Sequence, residues 1–314
     1  MNEKARIREA RLGSGGLLRV DKPSGMTSHD VVAAVRKLVR PLRVGHTGTL
    51  DPLAGGLLVL CVGEATKVAR FIEAGRKLYR ATALLGTRTD TQDVTGAITA
   101  QVPVEGITAG RVHEAARAFV GKISQIPPAF SAVKVGGVRA YKLARRKENV
   151  QLKPRTVEIM RLEIERVRLP RVQFLLECSK GVYVRTLCSD LGEALGVGGC
   201  MESLRRLAVG RFTVAGARPL AELDTAGEIM EALLPAADAL THMPAVTCSP
   251  EQAERLSRGM ALTLGREPAP PEKEGSWAQA LGPGGELLAV GRLSRDGASV
   301  VFHPKKVLAA GRDG

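Results

Sequence analysis

Gly45-His46-Thr47-Gly48-Thr49-Leu50-Asp51-Pro52-Leu53-Ala54-Gly55-Gly56 is the densest run of turn chemistry in this 314-residue chain. Its glycines permit unusual backbone angles and close approach of a partner. Pro52 stiffens the position after Asp51 and removes an N–H donor there. Such a loop holds one carboxylate in a fixed direction. An Asp-Pro turn between two elements is most often structural. The alternative is a nucleophilic or general-base carboxylate, and the residue types alone leave both readings open.

The segments on either side carry regular patterns. Upstream, Leu17–Val20 reads as a short strand ending in the turn Asp21-Lys22-Pro23-Ser24-Gly25. Val31, Val32, Val35, Leu38 and Val39 recur at helical spacing, Thr27-x-x-Asp30 has the form of a capping box, and Pro41 closes the segment, so a helix is predicted over Thr27–Val39. Downstream, Arg80–Leu85 reads as a strand stopped by Gly86. Val157–Val167 and Val172–Cys178 read as paired strands with Pro170 in their connection. Val184, Leu187, Cys188, Leu191 and Leu195 mark a helix ending at Gly196. Strands and helices are interspersed without regular βαβ alternation. The expected class is therefore α+β, with a mixed, mostly antiparallel sheet and flanking helices. A boundary is predicted near Pro244. Beyond it come a short helix around Glu251–Arg258, a Pro/Glu-rich stretch at 267–275, and short strands separated by Pro283-Gly284-Gly285 and Asp296-Gly297.

Charge narrows the function. Lys and Arg number 46 against 32 Asp and Glu, a net charge of +14. Half of that excess sits in Lys134–Arg155, where eight basic residues (Lys134, Arg139, Lys142, Arg145, Arg146, Lys147, Lys153, Arg155) face one acid, Glu148. A solvated surface loop has this composition, and so does a surface that binds nucleic acid by releasing phosphate counterions. The five cysteines (Cys61, Cys178, Cys188, Cys200, Cys248) are widely spaced, with no C-x-x-C pair. They fit small buried hydrophobes in a reducing compartment better than a disulfide framework or zinc ribbon. The five histidines lack metal-ligand spacing, so no metal site is expected. The longest apolar stretches, such as Leu57–Val62, are too short to span a bilayer. The first residues mix Lys4, Arg6, Arg8 and Arg11 with Glu3 and Glu9, and no apolar h-region follows them. The expected location is the cytoplasm, without membrane association.

Gly45–Pro52 resembles the signature loop of the TruB family of tRNA pseudouridine synthases, and the likeness extends well beyond it. Leu17–Gly25, Gly63–Lys67, Lys77–Arg80, Arg88-Thr89-Asp90-Thr91 with Asp93, Gln125–Pro128, Phe130–Ala132 with Lys134, Ser179–Arg185 and Leu204–Leu207 follow in the family's order. Together they cover residues 17–212. The resemblance implies an enzyme that cleaves the bond between uracil N1 and ribose, turns the base and rejoins it through C5, with no cofactor. It implies that Asp51 is the nucleophile, that Tyr79 stacks on the target base and assists proton removal at C5, and that Arg185 pairs with the aspartate. Leu204 corresponds to an apolar pocket residue, and His46 to a residue beside the target base. Tyr183, Asp93 and Lys22 fall at supporting positions of the substrate site.

The same resemblance implies a catalytic domain over residues 1–243, with a basic thumb-like insertion at about 124–155. Its Lys134, Arg139, Arg145, Arg146 and Lys147 would grip the RNA backbone. A smaller β-rich, PUA-like RNA-binding domain would follow over 244–314. The implied partner is tRNA, with the T-stem–loop on the large domain and the acceptor arm on the small one. A monomer with no obligatory protein partner is expected. The chain departs from the family at Gly55, where threonine is usual, and a more mobile turn is expected there. Val182 also replaces a common threonine. Relatives that take their target from a guide RNA, and a tRNA-binding chaperone without chemistry, are the competing readings. The short C-terminal module disfavours the first, and the set Asp51, Tyr79 and Arg185 disfavours the second.

Overall fold

Thr27 starts the first helix as its sequence predicts: its hydroxyl accepts from the Asp30 N–H at 3.1 Å, and the Asp30 carboxylate accepts from the Thr27 N–H at 2.8 Å. The computed structural model describes residues 15–131, 133–146, 148, 152–264, 275–297 and 299–308. They fall into two units. The first takes in the described residues up to Leu50, Leu58–Glu73, and those from Gly210 onward, and the second takes in Asp51–Leu57 and Ala74–Val209.

In the first unit, strand β1 (Gly15–Lys22) pairs in parallel with β14 (Arg218–Pro219), which follows the short β13 (Phe212–Thr213) in the chain. On its other side β1 neighbours β3 (Gly55–Gly63), which also carries β2 (Val44–His46) antiparallel. Helix α1 (Ser28–Leu38) lays Val31, Val32 and Val35 on Leu18, Val20, Leu58, Leu60 and Val62. Full burial of one such side chain contributes about 1.5–3 kcal/mol, so this face holds the helix more firmly than its cap does. A separate five-stranded sheet has the order β15 (Ala245–Thr247), β17 (Trp277–Leu281), β18 (Leu287–Asp296), β19 (Ser299–Val307), β16 (Leu262–Thr263). Both predicted turns fall between its strands, and a helix, Pro250–Ser257, precedes β16 with Ser249 as its cap. Most of the Pro/Glu-rich stretch, residues 267–274, lies outside the described residues.

The second unit holds the larger sheet. The first residues of β3 pair in parallel with β12 (Gly199–Val209), through Gly55 with Arg205 and Gly56 with Arg206. The order then runs β12, β4 (Lys77–Leu85), β11 (Arg171–Cys178), β10 (Arg155–Arg168), β7 (Gly121–Gln125), antiparallel throughout. Among the described residues, two small hairpins form sheets of their own: β5 (Thr87–Thr89) with β6 (Ile98–Gln101), and β8 (Lys134–Val135) with β9 (Val138–Arg139). Among the described residues, three helices belong to this unit, α3 (Ala109–Arg117), α4 (Ala140–Arg145) and α5 (Val184–Ala194); the short α2 (Ala69–Glu73) belongs to the first. The class is α+β with a mixed, mostly antiparallel sheet, as predicted.

β3 is the element that alternation misses. All its residues from Gly55 to Val62 are buried, so the strand reads as a continuous apolar run instead of an alternating one. This also corrects the expectation at Gly55. The residue is the first of a buried strand, paired with Arg205, and not part of a loosened turn. Its neighbour Gly56 has φ +97°, and a Cβ there would come within 2.3 Å of the Arg206 carbonyl oxygen, so this position accepts only glycine.

All five cysteines are buried and unpaired, as the sequence suggests. Burial pushes the thiols of Cys61 and Cys178 up to about 12. The folded protein should therefore resist iodoacetamide at pH 8 for hours and react at all five thiols in denaturant, with mass spectrometry as the readout. Rapid labelling of native Cys61 or Cys178 would contradict this burial. Among the described residues, no helix is long and apolar enough to cross a membrane.

Candidate active site

Asp51 is fixed from both sides of its own chain. The preceding residue, Leu50, exchanges two hydrogen bonds with Ser28: its N–H donates to Oγ at 2.8 Å and its carbonyl accepts from Oγ at 3.1 Å. On the other side, the Asp51 carbonyl accepts from the Ala54 N–H at 3.0 Å and closes a turn over Pro52. The side chain then emerges with one defined direction.

Arg185 meets it. This arginine is the second residue of α5, and its Nε donates to Asp51 Oδ2 at 2.8 Å while Nη2 reaches Oδ1 at 3.4 Å. The guanidinium is held elsewhere too: Nη1 donates to the Thr91 carbonyl and Nη2 to the Phe130 carbonyl, each at 2.9 Å. Asp93 Oδ2 lies 3.8 Å from Nε. A planar fork binding one carboxylate through two nitrogens fixes its rotation as well as its charge. The exposures separate the two roles. The Arg185 side chain is 5% exposed and that of Asp51 36%, so a substrate can reach the carboxylate but not the cation. Arg185 holds and Asp51 presents.

Asp93 is itself tied down. Its Oδ1 accepts from Thr91 Oγ1 at 2.9 Å, Thr95 N at 3.0 Å and Thr95 Oγ1 at 2.5 Å. The loop is pinned to β12, where the Met201 N–H donates to the Gln92 carbonyl and the Met201 carbonyl accepts from the Val94 N–H. Gln92 takes the strained φ of +62° that this requires.

Tyr79 lies on the buried face of β4, opposite Leu176 of β11 and Arg206 of β12. Burial pushes its phenol above the ordinary range, and the negative charge of Asp51 adds to this. The Arg206 guanidinium, hydrogen-bonded to the phenol, opposes it. Arg206 is itself buried, with Nε donating to the Leu57 carbonyl at 2.8 Å. Leu204 is half-buried and sits two residues before Arg206 in unbroken register, opposite Ala81, so it shares the face of Tyr79. Tyr183 is the N-cap residue of α5.

The other expected residues belong to other elements. His46 ends β2 in the first unit, its Nδ1 accepting from the Gly48 N–H at 3.3 Å. Lys22, in the same unit, is 0% exposed, and its ammonium donates to the carbonyls of Pro23 (2.9 Å) and Met26 (2.6 Å). It therefore ties the turn between β1 and α1. In the basic segment, Lys134 and Arg139 face each other across the β8–β9 hairpin, and Arg145 stands over the Tyr141 ring at 5.5 Å. Arg146 is 3.7 Å from Glu148. Lys134, Arg139, Arg145 and Arg146 are all exposed, whereas Lys147 lies outside the described residues.

Gln92, Gln125, Thr186 and Arg206 belong to the site's framework, and the sequence assigned none of them a role. All four occur within the motifs of the sequence or beside them, but a polar residue type gives no sign of burial. Among the described residues, no group of three or more His, Cys, Asp or Glu is placed to hold a metal ion.

Comparison with known proteins gives a consistent result. Residues 36–184 match the N-terminal domain of the TruB family pseudouridylate synthases, and residues 185–243 match the tRNA pseudouridylate synthase B C-terminal domain. The tRNA pseudouridine synthase B of Geobacter sulfurreducens is 45% identical over 248 residues, covering 78% of this chain and 82% of that protein. Its namesake from Syntrophus aciditrophicus is 42% identical over 284 residues, covering 88% and 91%. The fold resembles the crystal structure of a Cbf5–Nop10–Gar1 complex with a TM-score of 0.73 at 23% identity, over 96% of this chain and 87% of that one. On the strength of these matches, the chain belongs to the TruB family of pseudouridylate synthases.

Proposed function

We propose that this protein isomerises a uridine in the T-loop of tRNA to pseudouridine, acting alone in the cytoplasm as a monomer and without a cofactor. The observation that carries the reading is the Asp51 carboxylate, accessible yet held by the buried fork of Arg185 at 2.8 and 3.4 Å. A carboxylate fixed in this way is a nucleophile with little reorientation left to do.

The chemistry is balanced within the substrate. The bond from N1 to C1′ breaks, the base turns, and a bond from C5 to C1′ forms. C5 loses its proton and N1 gains one. No electrons leave the nucleotide, so the reaction calls for no redox partner. Asp51 supplies the nucleophile. Tyr79 offers a ring face on which the base stacks, and its phenol, neutral at pH 7, relays the C5 proton. Leu204 lines the same face, and Tyr183 and Asp93 complete the surroundings of the base. Asp93 acts through Arg185, and Lys22 through the turn that precedes α1.

A T-loop uridine must leave its stack to reach Asp51, at a cost of a few kcal/mol. Phosphate contacts offset this, and the exposed Lys134, Arg139, Arg145 and Arg146 are suited to make them. Replacing Arg145, Arg146 and Lys147 by glutamine should weaken tRNA binding and reduce the slope of log Kd against log salt by about two. An unchanged slope would reject the thumb role for residues 124–155. We read residues 244–314 as a PUA-like module that takes the acceptor arm. In support, the exposed guanidiniums of Arg70 (4.6 Å) and Arg292 (4.4 Å) both stack against the Trp277 ring of β17.

The test uses tRNA transcripts in which each T-loop uridine is replaced in turn by cytidine. Incubation with this protein alone should convert one T-loop position, and only its replacement should abolish pseudouridine formation. A requirement for added guide RNA or protein would overturn the stand-alone reading.

A further inference from the structure

Gln125 ends β7 at the root of the basic insertion and is 2% exposed. Its amide makes two bonds to a single residue: Oε1 accepts from the Tyr183 N–H at 2.8 Å, and Nε2 donates to the Tyr183 carbonyl at 3.1 Å. A side-chain amide used in this way takes the place of a strand partner. The residue it clasps is the N-cap of α5, where no side chain caps the helix. Arg185 follows two residues later.

The chain beyond Gln125 then contributes two carbonyls to the same helical turn. Ile126 accepts from Thr186 Oγ1 at 3.4 Å, and Phe130 accepts from Arg185 Nη2 at 2.9 Å. Four hydrogen bonds thus join residues 125–130 to residues 183–186. Nη2 is divided between the Phe130 carbonyl and Asp51 Oδ1, so a displacement of this segment alters the fork that holds the carboxylate. Four residues past Phe130, the same backbone enters the basic hairpin at Lys134.

We propose that Gln125 is a positioning residue that sets the Asp51–Arg185 geometry, and that through it the grip of the basic insertion on RNA is transmitted to the nucleophile. The proposal rests on the reading of Asp51 given above. Gln125 is buried, with both amide atoms bonded to the Tyr183 backbone, and so acts through α5. Its effect should therefore fall on the chemical step and not on affinity, and it should depend on Arg185 being present.

The experiment measures single-turnover pseudouridine formation at saturating tRNA, together with Kd, for the full-length wild type, Gln125→Ala and Gln125→Glu. It repeats both substitutions in an Arg185→Lys background. Gln125→Ala should slow the reaction roughly 10- to 100-fold while Kd changes less than about threefold. Gln125→Glu retains the acceptor for the Tyr183 N–H but loses the donor to its carbonyl, and should fall between. With Arg185 already replaced, the cost of either change should shrink to within about threefold, because the fork it positions is gone. Equal costs in both backgrounds, or a loss of affinity matching the loss of rate, would overturn the proposal. If circular dichroism shows Gln125→Ala to be unfolded, the glutamate variant decides by the same comparison. An inactive wild type would overturn both this proposal and the functional reading, whereas an active wild type with indifferent Gln125 variants would overturn this one alone.

Discussion

Asp51→Asn should lose pseudouridine formation by on the order of 10⁴-fold or more, while its affinity for tRNA stays within about threefold of wild type. The two side chains have the same shape, so the loop from Leu50 to Ala54 has no steric reason to move. The amide oxygen still accepts from Arg185 Nε, but the amide nitrogen cannot accept from Nη2 and carries no nucleophilic lone pair comparable to that of a carboxylate. The chemistry is lost and the scaffold is kept. Binding is expected to survive because the cations proposed to contact phosphate, Lys134, Arg139, Arg145 and Arg146, lie on separate elements from Asp51. Stability should also change little, since the Asp51 side chain is one-third exposed and water can solvate the new amide. Single-turnover rates and filter-binding affinities of the two proteins measure both halves of this expectation.

Arg185→Met should be the more damaging change to the fold, and should lower the rate on the order of 10³-fold. Methionine fills part of the volume but makes none of the bonds. It leaves the half-buried carbonyls of Thr91 and Phe130 without the guanidinium, and Asp93 without the cation 3.8 Å away. Removing one partner of a buried charged cluster costs about 3–5 kcal/mol, because the remaining groups stay desolvated and unpaired. The lower end of that range applies here, since Asp51 can turn to solvent and Asp93 keeps its bonds to Thr91 and Thr95. The melting temperature of Arg185→Met should therefore fall clearly below those of wild type and Asp51→Asn. Arg185→Lys keeps the charge but not the planar fork, so it should regain stability before it regains rate. A methionine variant as stable as Asp51→Asn would mean that the guanidinium contributes nothing to the fold.

Why some of this architecture is legible in sequence, and some is not, follows from which forces leave a local trace. α1 is readable because its cap (Thr27 and Asp30) and its buried face (Val31, Val32 and Val35) are set by residues within two turns of one another. α5 stops where Gly196 takes φ +81°, and that too is local. β10 and β11 are readable as a pair because alternation and a short connection coincide. β3 is not, because a strand buried on both faces has no period to detect. The site divides the same way. Asp51 stands out through its Gly- and Pro-rich loop, and Arg185 and Tyr79 through motifs of the family. Gln125, Gln92 and Arg206 depend on partners 58, 94 and 149 residues away in sequence, and such pairings exist only once the sheet is assembled. The burial of Lys22 is equally invisible, since lysine is among the residues least often fully enclosed.

The most direct measurement is pseudouridine mapping on an unmodified tRNA transcript incubated with this protein alone, with wild type and Asp51→Asn run side by side and tRNA binding measured for each. The expected result is conversion of one T-loop uridine by wild type and none by Asp51→Asn, with both proteins binding. Conversion by both would remove Asp51 from the chemistry, and conversion by neither, with tight binding by both, would contradict the assignment of a stand-alone synthase.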